Sequence, residues 1–429
     1  MNVAGKSREG LIFAGFMCGT SLDGVDGSLI GIRDGRITLL AFEQRPFSPG
    51  VTKWLRRFLG PDPDVPVARY WGDVENLLAR VELDLLSGLL ATSGVLPSEL
   101  HGAGSHGLTA YHRPHPHPPP WEEGSTTGNP LPGQTVQIAN PYLLARSYCI
   151  PVVFDFRRSD LYGGGEGAPL TPLFHRAAFS DPHESLAFLN LGGIANLTSL
   201  PPLVRSTDPV TAFDTGPGNM LMDLAVSLLT HGELTHDKDG ERAGKGTVRP
   251  RIVSHIMNDP WFSKPPPKST GREEWGPDRL SSIIEFARRE GELSENDLLA
   301  SLSEATALGI RLGIEWISPV PVRIIAGGGG TRNPDLMGRI RRITGLPVGT
   351  TDDSGWPAQA IESMAFAYLA ALTLSGRPGS LPSTTGCRSP VLLGGLAPPP
   401  DGSFADRLRE IRDAAGIHLP SPDRATFPT

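Results

Sequence analysis

The chain of 429 residues is too long for a single hydrophobic core, and its length predicts two domains. Hydrophobic residues make up 39% and charged residues 20%, which is typical of a soluble globular protein, while the net charge of −7 argues against a nucleic-acid-binding surface. The three cysteines lie far apart and the first apolar stretch is too short to span a membrane, so the expected location is the reducing cytoplasm.

The beginning of the chain predicts three strands followed by a helix. The strands are expected at residues 11–16, 25–32 and 37–42, with a tight turn at Asp34-Gly35 between the second and the third. Apolar residues at helical spacing predict an amphipathic helix over residues 74–90.

Residues 111–133 form a Pro-rich stretch for which we expect an exposed insertion with little regular structure. Its histidines His112, His115 and His117 leave two interpretations open, a metal site or a solvated loop. Spacing alone is weak evidence for a metal site, so the loop is favoured. A short helix is predicted after it, with Pro141 in the first turn.

The second half of the chain repeats the pattern of strand, glycine turn and strand. The run IPVVFDF predicts a buried strand, and SLAFLNLGGIANLTSL predicts two strands joined by a glycine turn. Residues 298–317 predict a helix capped by Ser294, and little signal follows Pro398. We expect an N-terminal domain over residues 1–150, to which residues 385–429 return, and a C-terminal domain over residues 151–384.

Glycine-rich turns are the strongest functional signal, because backbone N–H groups approach a phosphate closely only where no side chain intervenes. In the first turn Gly19, Thr20, Ser21 and Gly24 would form such a cradle, and Asp23 would hold a hydrated Mg²⁺. An ordinary hairpin turn is an equally good interpretation of this segment.

Two further glycine turns strengthen the phosphate-binding prediction. Gly192 and Gly193 supply a second cradle, with Asn190 and Asn196 as side-chain donors. The third is expected where a strand meets a helix, whose N-terminus favours an anion or a nucleotide. Its four consecutive glycines are Gly327, Gly328, Gly329 and Gly330.

The common nucleotide-binding motifs do not fit. GERAGKGT has a lysine without the spacing of a Walker A loop, no GxGxxG opens a helix after a strand, and the His-Arg-Asp and Asp-Phe-Gly motifs of protein kinases are missing. What remains is a nucleotide site built from the hairpin turns of two lobes, as in the actin and hexokinase superfamily.

Asp214 is the strongest candidate for acid–base chemistry. It ends a predicted strand in FDTGPGN, where the following glycines leave open space, although it would also suit as the cap of a helix starting near Asn219. Asp155, Asp160 and Glu362 are further carboxylates near turns. Arg157 would bind an anionic substrate group or form a structural salt bridge.

The order of the motifs resembles that of the anhydro-N-acetylmuramic acid kinase family over residues 11–396. The segments that carry the resemblance are MCGTSLDGVD, GSHGLT, VQIANPYLLA, DFRRSDLYGGGEGAPL, LNLGGIANLT, FDTGPGNMLMD, PPKSTGRE and AGGGGTRNPDLM. The resemblance implies two ribonuclease-H-like α/β lobes with an active-site cleft between them. It also implies ATP and Mg²⁺ as cofactors, and suggests a homodimer.

The resemblance implies an unusual reaction, in which 1,6-anhydro-N-acetylmuramic acid becomes N-acetylmuramic acid 6-phosphate in cell-wall recycling. Water attacks C1 and opens the anhydro bridge while O6 takes the γ-phosphoryl group of ATP, so a carboxylate must activate the water. Two alternatives remain open. One is levoglucosan or another anhydro-sugar as substrate, because levoglucosan kinases share much of the motif set, and the other is a nucleotide-binding module without turnover.

Carried over residue by residue, the resemblance assigns roles to the candidate residues. The general base is Asp214, and Glu362 lies near the reacting centre. The sugar-side residues are Thr20, Asp23, Gly107, Thr109 and Arg157, while the metal role of Asp23 stays the prediction made from its own turn. The ATP-side residues are Cys18, Gly19, Thr20, Ser21, Leu22, Asp23, Gly24, Val25, Asn190, Gly192, Gly193, Gly327, Gly328, Gly329, Gly330 and Asn333.

Two residues depart from the family pattern. Cys18 stands where the family has a serine, which replaces a hydroxyl with a weaker thiol donor, and Leu108 stands in a glutamine position. These departures bear on the preferred substrate more than on the kinase assignment.

Overall fold

The computed structural model describes residues 10–418 except residues 20–21, 61–64, 115–132, 205–207 and 292–293. The predicted site residues Thr20 and Ser21 therefore lie outside the described residues, as do His115 and His117. The strands are β1 Leu11–Cys18, β2 Gly24–Arg33, β3 Arg36–Pro46, β4 Gly102–Arg113, β5 Gln134–Ile138, β6 Val152–Phe154, β7 Leu186–Leu191, β8 Ile194–Leu200, β9 Ala212–Pro217, β10 Arg323–Gly327, β11 Val348–Thr350 and β12 Gly395–Ala397.

Helices separate and cover these strands. They are α1 Pro49–Leu59, α2 Val67–Ser93, α3 Pro141–Tyr148, α4 Phe156–Tyr162, α5 Pro172–Phe179, α6 Met220–Leu229, α7 Glu241–Lys245, α8 Pro250–Met257, α9 Arg272–Trp275, α10 Pro277–Arg289, α11 Glu295–Ile314, α12 Pro334–Thr344, α13 Ala360–Leu374, α14 Pro382–Thr385 and α15 Phe404–His418. No helix of the described residues is long and apolar enough to cross a membrane.

The chain divides into two compact units at other points than the sequence suggested. The first unit comprises Met1–Ala178 and Glu362–Thr429, and the second comprises Phe179–Ile361. Residues 151–178 and 362–384 were expected in the C-terminal domain, so both boundaries differ. The physical reason is that β6 pairs in parallel with β4, while α13 packs on the same sheet of the first unit.

The first unit is built on a sheet of seven strands in the order β12-β6-β4-β1-β2-β3, with β5 paired to β4. β2 runs antiparallel to β1 and β3, whereas β1, β4 and β6 are parallel. The helix α2 covers one face through a run of buried leucines, including Leu85, Leu86 and Leu89. The expected hairpin at Asp34-Gly35 is confirmed, with positive φ angles of 51° and 74°.

The second unit repeats this topology on a sheet of five strands in the order β11-β10-β7-β8-β9. β8 runs antiparallel to β7 and β9, and β7, β10 and β11 are parallel. In both sheets the core order is therefore 3-2-1-4-5 with the second strand reversed, which is the ribonuclease-H-like arrangement; in the first sheet β6 takes the fifth place, and β5 and β12 are additions. The predicted α/β fold class with two ribonuclease-H-like lobes is confirmed, because both sheets have this strand order.

The contact of α13 with the first sheet requires glycine. A Cβ on Gly15 of β1 would lie 2.1 Å from the Ser363 carbonyl oxygen, and one on Gly104 of β4 would lie 2.3 Å from the Phe366 carbonyl oxygen. Such distances are too short for any side chain, so the glycines let α13 approach the strands directly. Glu362 lies in the first turn of α13 and is thereby positioned above β1 and β4.

Several expected elements have different bounds. The predicted strand IPVVFDF is limited to Val152–Phe154, because Asp155 has a positive φ of 54° and precedes α4. The beginning of the Pro-rich stretch is regular, since β4 continues to Arg113 and pairs with β5. The C-terminal tail, which carried little signal, contains α15. Ser294 caps α11 as predicted, with its side chain accepting from the Asp297 N–H.

Candidate active site

The first glycine turn lies between β1 and β2 of the first unit. Cys18 ends β1 with a buried side chain, and Leu22 has a positive φ of 58° and is buried. Val25 is also buried, so its side chain serves the core, whereas Asp23 is exposed. Gly19 and Gly24 flank the turn, and a Cβ on Gly24 would lie 2.4 Å from the Arg45 carbonyl oxygen. The turn joins two antiparallel strands, as the hairpin interpretation expected. Phosphate binding at this turn stays a prediction.

Charged side chains interact beside this turn. The pKa of Asp26 on β2 is raised to about 6, chiefly by burial and further by the charges of Asp23 and Glu362, against a hydrogen bond of 2.7 Å from Gln44. Loss of hydration among its neighbours raises the pKa of Glu362 and Arg157 acts in the opposite direction, although the residue as a whole is exposed to solvent. Asp26 was not singled out from the sequence, although it stands within the segment MCGTSLDGVD.

Arg157 of α4 forms no salt bridge with any carboxylate of the described residues. Its Nε donates to Nε2 of His106 over 3.0 Å, and its Nη1 donates to the Gly167 carbonyl oxygen over 2.9 Å. Burial lowers the pKa of Arg157 to about 10, and Glu362 opposes that effect. The neighbouring Asp155 instead pairs with Arg158 over 3.0 Å.

The two other residues expected on the sugar side lie on β4. Gly107 has a positive φ of 71° and its carbonyl oxygen contacts Nδ1 of His106 over 2.9 Å. Thr109 is half-buried, and its Oγ1 accepts a hydrogen bond of 3.5 Å from Gln137. The departure Leu108 is completely buried in the hydrophobic core of the first unit.

In the second unit the second and third glycine turns meet. Asn190 of β7 is the register partner of Gly327 at the end of β10. The carbonyl oxygens of Gly192 and Gly193 accept from backbone N–H groups just before and at the start of α6, with distances of 2.8–3.0 Å. Asn219, at the N-cap position of α6, donates through Nδ2 to the Leu191 carbonyl oxygen over 3.3 Å. Two separate sequence motifs therefore form one glycine-rich surface.

In the third glycine turn, the segment between the strand and the following helix differs from the prediction. Gly328 has a positive φ of 84°, and Gly329–Arg332 form a short 3₁₀ turn before α12 begins at Pro334. The four glycines thus do not lead directly into a helix. Asn333 is buried and caps α12 by accepting from the Leu336 N–H over 3.0 Å. This capping role is structural, and contact of Asn333 with a nucleotide stays a prediction.

Asp214 lies on β9 opposite Asn196, next to an irregularity in the strand register. Its Oδ2 accepts from the Thr270 N–H over 2.9 Å, and its own N–H donates to the Lys268 carbonyl oxygen over 3.0 Å. No group of the described residues donates to Oδ1. Asp214 is therefore not the cap of α6, which was the alternative interpretation.

The environment of Asp214 suits a base. Burial raises its pKa to about 6, and the Thr270 N–H and the Lys268 charge oppose that increase. The ammonium group of Lys268 is held 4.5 Å from the ring centre of Trp261 and donates to the Phe262 carbonyl oxygen over 3.1 Å. Sequence reasoning noted PPKSTGRE as a motif but assigned Lys268 no role.

The described residues contain no group of three or more His, Cys, Asp or Glu side chains that could hold a metal ion. Mg²⁺ bound with a nucleotide needs only one or two carboxylates, since phosphates and waters supply the other oxygens. Asp23 and Asp26 meet that requirement in number and in chemistry. His112, from the alternative metal interpretation, instead contacts Thr135 Oγ1 through Nδ1 over 3.0 Å.

Two ribonuclease-H-like units with glycine turns between their first and second strands define the fold class of the actin and hexokinase superfamily. The family model described as anhydro-N-acetylmuramic acid kinase matches residues 11–399. The enzyme of that name from Variovorax paradoxus is 39% identical over 91% of this chain and 99% of its own length, and that from Chromohalobacter salexigens is 38% identical over 90% and 99%. The chain belongs to the anhydro-N-acetylmuramic acid kinase family, and it is an anhydro-sugar kinase.

More distant likenesses exist among solved structures. Xylulose kinase from Rhodospirillum rubrum shares 15% identity with a TM-score of 0.40, covering 94% of this chain and 97% of that one. A ROK family glucokinase from Streptomyces griseus, in complex with glucose and AMPPNP, shares 11% identity with a TM-score of 0.36, covering 84% and 99%. The strand order of the two sheets defines the fold independently of these likenesses.

Proposed function

We propose that the enzyme uses water and ATP to convert 1,6-anhydro-N-acetylmuramic acid into N-acetylmuramic acid 6-phosphate and ADP. Water forms a bond to C1, and the C1–O6 bond of the anhydro bridge breaks. O6 forms a bond to the γ-phosphorus of ATP, whose bond to the bridging oxygen of ADP breaks. The proton lost by the water goes to a carboxylate and then to solvent, so atoms and charges balance.

Asp214 is the proposed general base, and its geometry is the observation that carries this proposal. The Thr270 N–H occupies Oδ2, while no described group donates to Oδ1, which leaves a lone pair for a water proton. A pKa of about 6 keeps the carboxylate ionised at neutral pH and close to the pH at which it works.

The first unit supplies the proposed sugar contacts, namely Thr20, Asp23, Gly107, Thr109 and Arg157. An anionic substrate is favoured over neutral levoglucosan, because Arg157 is half-buried and forms no salt bridge with a carboxylate of the described residues. Glu362 is placed near the reacting centre on the basis of the family resemblance, and its charge interaction with Arg157 supports that placement.

The glycine turns are the proposed ATP contacts. The turn after Cys18 and the turn at Gly192-Gly193 would bind phosphates, and the four glycines from Gly327 would bind the nucleoside side. Asp23 would hold Mg²⁺, which neutralises charge on the β- and γ-oxygens of ATP when it is bound. We also propose a cytoplasmic homodimer, which follows from the family resemblance and would be tested by sedimentation equilibrium.

Isotope transfer from ¹⁸O-water tests the reaction. The purified protein with anhydro-N-acetylmuramic acid, ATP and Mg²⁺ should form a sugar phosphate that carries one ¹⁸O at C1, measured by mass spectrometry of rapidly quenched samples. Unlabelled product moved into ¹⁸O-water corrects for exchange at the anomeric carbon. Label in inorganic phosphate without labelled sugar would instead show simple ATP hydrolysis and would exclude the proposal.

The role of Asp214 is tested in the same assay. Asp214→Asn keeps the size and the Thr270 hydrogen bond but is a very weak base, so product formation should fall by a factor of about 10² to 10⁴. ATP binding, measured by calorimetry, should be retained. ADP release at the wild-type rate from this variant would show that Asp214 is not the base.

A further inference from the structure

His106 is buried between the predicted sugar contacts and takes no part in the mechanism described above. Only 1% of its surface is exposed, and its ring packs on Phe366 of α13 with 4.4 Å between the ring centres. Its two nitrogens contact two different residues. Nδ1 lies 2.9 Å from the Gly107 carbonyl oxygen, and Nε2 lies 3.0 Å from Nε of Arg157.

These partners determine the state of the imidazole. A carbonyl oxygen only accepts, so Nδ1 must carry the hydrogen, and the arginine Nε–H only donates, so Nε2 must offer its lone pair. His106 is therefore a neutral Nδ1–H tautomer. Burial and the charge of Arg157 both lower the pKa of His106 well below its usual range, which agrees with the neutral form.

The guanidinium of Arg157 is fixed at two of its three nitrogens. Nε donates to His106 and Nη1 donates to the Gly167 carbonyl oxygen, while Nη2 makes no hydrogen bond within the described part of the chain. Because a guanidinium is planar, two fixed nitrogens determine the direction of the third. The edge that contains Nη2 is thus oriented before a ligand binds.

Gly167, whose carbonyl oxygen accepts from Arg157, is itself held by a hydrogen bond to Asp160. The Gly167 N–H donates to Oδ2 of Asp160 over 2.8 Å, and the Oδ1 of Asp160 accepts from Thr385 Oγ1 over 2.7 Å. Asp160 is completely buried, so this carboxylate serves the loop and is not available as a catalytic group. His106 therefore contacts Arg157 directly, whereas Asp160 acts on it through the Gly167 backbone.

We infer that His106 is a positioning residue, which orients Arg157 for the carboxylate of the sugar acid and joins that arginine to Gly107. This inference rests on the proposed function, in which Arg157 binds the substrate. Its contribution is pre-organisation, since an arginine already fixed in the bound orientation loses less side-chain entropy on binding. The consequence is tighter binding of the anionic sugar, with no new contact between His106 and the sugar.

Two amide variants separate the two nitrogens of His106. His106→Gln places an amide oxygen near the Nε2 position and retains an acceptor for Arg157. His106→Asn is shorter, so it retains only a donor near the Nδ1 position. We expect His106→Asn to raise KM for anhydro-N-acetylmuramic acid about tenfold, as for a lost hydrogen bond to a charged group. His106→Gln should remain within about threefold of the wild type, and KM for ATP should not change in either.

A double-mutant cycle with Arg157→Met provides the decisive measurement. If His106 acts through Arg157, adding His106→Asn to Arg157→Met should leave KM for the sugar within about twofold of Arg157→Met alone. If the two substitutions instead raise KM by the product of their separate effects, His106 does not act through Arg157 and the inference is overturned. A wild-type KM in His106→Asn alone would also overturn it. Neither result would affect the role of Arg157. A wild-type KM in Arg157→Met would overturn that role in the proposed function and the inference with it. Should His106→Asn not fold, His106→Phe keeps a ring against Phe366 and takes its place in the cycle.

Discussion

The backbone N–H of Thr270 donates to Oδ2 of Asp214 over 2.9 Å, although 56 residues separate them in the chain. The same segment returns to Asp214 a second time, since the Asp214 N–H donates to the Lys268 carbonyl oxygen. The proposed base is therefore held by backbone groups of the segment PPKSTGRE. This clamp fixes one carboxylate oxygen and leaves the other for water.

Removal of the Lys268 charge should shift the pH dependence of the reaction. The positive charge of Lys268 lowers the pKa of Asp214, which burial has raised to about 6. In Lys268→Met that pKa rises further, so a larger fraction of Asp214 is protonated at mildly acidic pH. We expect the acidic limb of kcat to lie near pH 6 in the wild type and to move up by roughly half a unit to one unit in the variant.

Lys268→Arg is the matched control, because it retains the positive charge beside Trp261. Its acidic limb should stay within a few tenths of a unit, roughly, of the wild-type position. If the acidic limb of kcat lies at the same pH in the wild type and in Lys268→Met, Lys268 does not influence the pKa of Asp214. Profiles of kcat against pH from 5 to 9, roughly the range in which such a group titrates, provide the measurement.

Alanine at two glycines should weaken ATP binding without disturbing the fold. A Cβ on Gly193 meets only the flexible end of Met220 at 3.4 Å, and one on Gly329 meets nothing within 4 Å. The protein itself has room for both methyl groups, so a loss of affinity must come from the nucleotide. KM for ATP should rise about tenfold in each variant, with the thermal midpoint nearly unchanged.

Gly338→Ala is the control for these variants, since Gly338 on α12 is equally open and lies away from the turns. It should leave KM for ATP unchanged. Wild-type KM values in both Gly193→Ala and Gly329→Ala would mean that ATP does not closely approach these turns.

Glu82→Gln should change how stability depends on pH. Glu82 of α2 is buried, its Oε1 accepts from Ser105 over 2.7 Å, and burial raises its pKa to about 7 from an ordinary value of 4.5. Between these two values the folded protein binds more protons than the unfolded chain, so its stability falls as the pH rises. The variant cannot ionise and should lose this dependence.

The measurement is the free energy of unfolding in urea at about pH 5 and pH 8. The wild type should lose up to about 3 kcal/mol more than Glu82→Gln between these two pH values. The unpaired amide group of Glu82→Gln lowers the free energy of unfolding by the same amount at both pH values, so this cost cancels when the two pH-dependent changes are compared. Parallel changes in the two proteins would show that Glu82 does not titrate across this range.

Cys18 should be chemically inert despite its place in the first glycine turn. Burial, with the nearby charges of Glu82, Asp23 and Asp26, raises the pKa of the Cys18 thiol to about 12, so the reactive thiolate is scarce. Iodoacetamide at pH 8 should label the half-buried Cys149 much faster than Cys18, as followed by peptide mass spectrometry. Cys18→Ser, which restores the family residue, should keep kcat/KM within about threefold, and a complete loss would show that the thiol is essential.

Local features of the sequence were sufficient to predict the hairpins and the glycine turns and to recognise the family. Asp34-Gly35 makes a tight turn because both residues accept positive φ, and Ser294 caps α11 through a neighbouring N–H. Such features depend on a few adjacent residues, so they are visible in the chain itself. The helix α15 was missed because a Pro- and Asp-rich segment precedes it and conceals its start.

The tertiary structure alone decided which of the candidate residues meet and what each one contacts. The sequence gives no reason for His106 to contact Arg157, for Asp160 to hold a loop through Thr385, or for Lys268 to influence Asp214. These contacts join residues far apart in the chain, and they depend on how helices pack on the two sheets. The sequence by itself determined the family and named Asp214 as the candidate base, whereas packing determined the contacts of its carboxylate, because Thr270 and Lys268 lie more than 50 residues away along the chain.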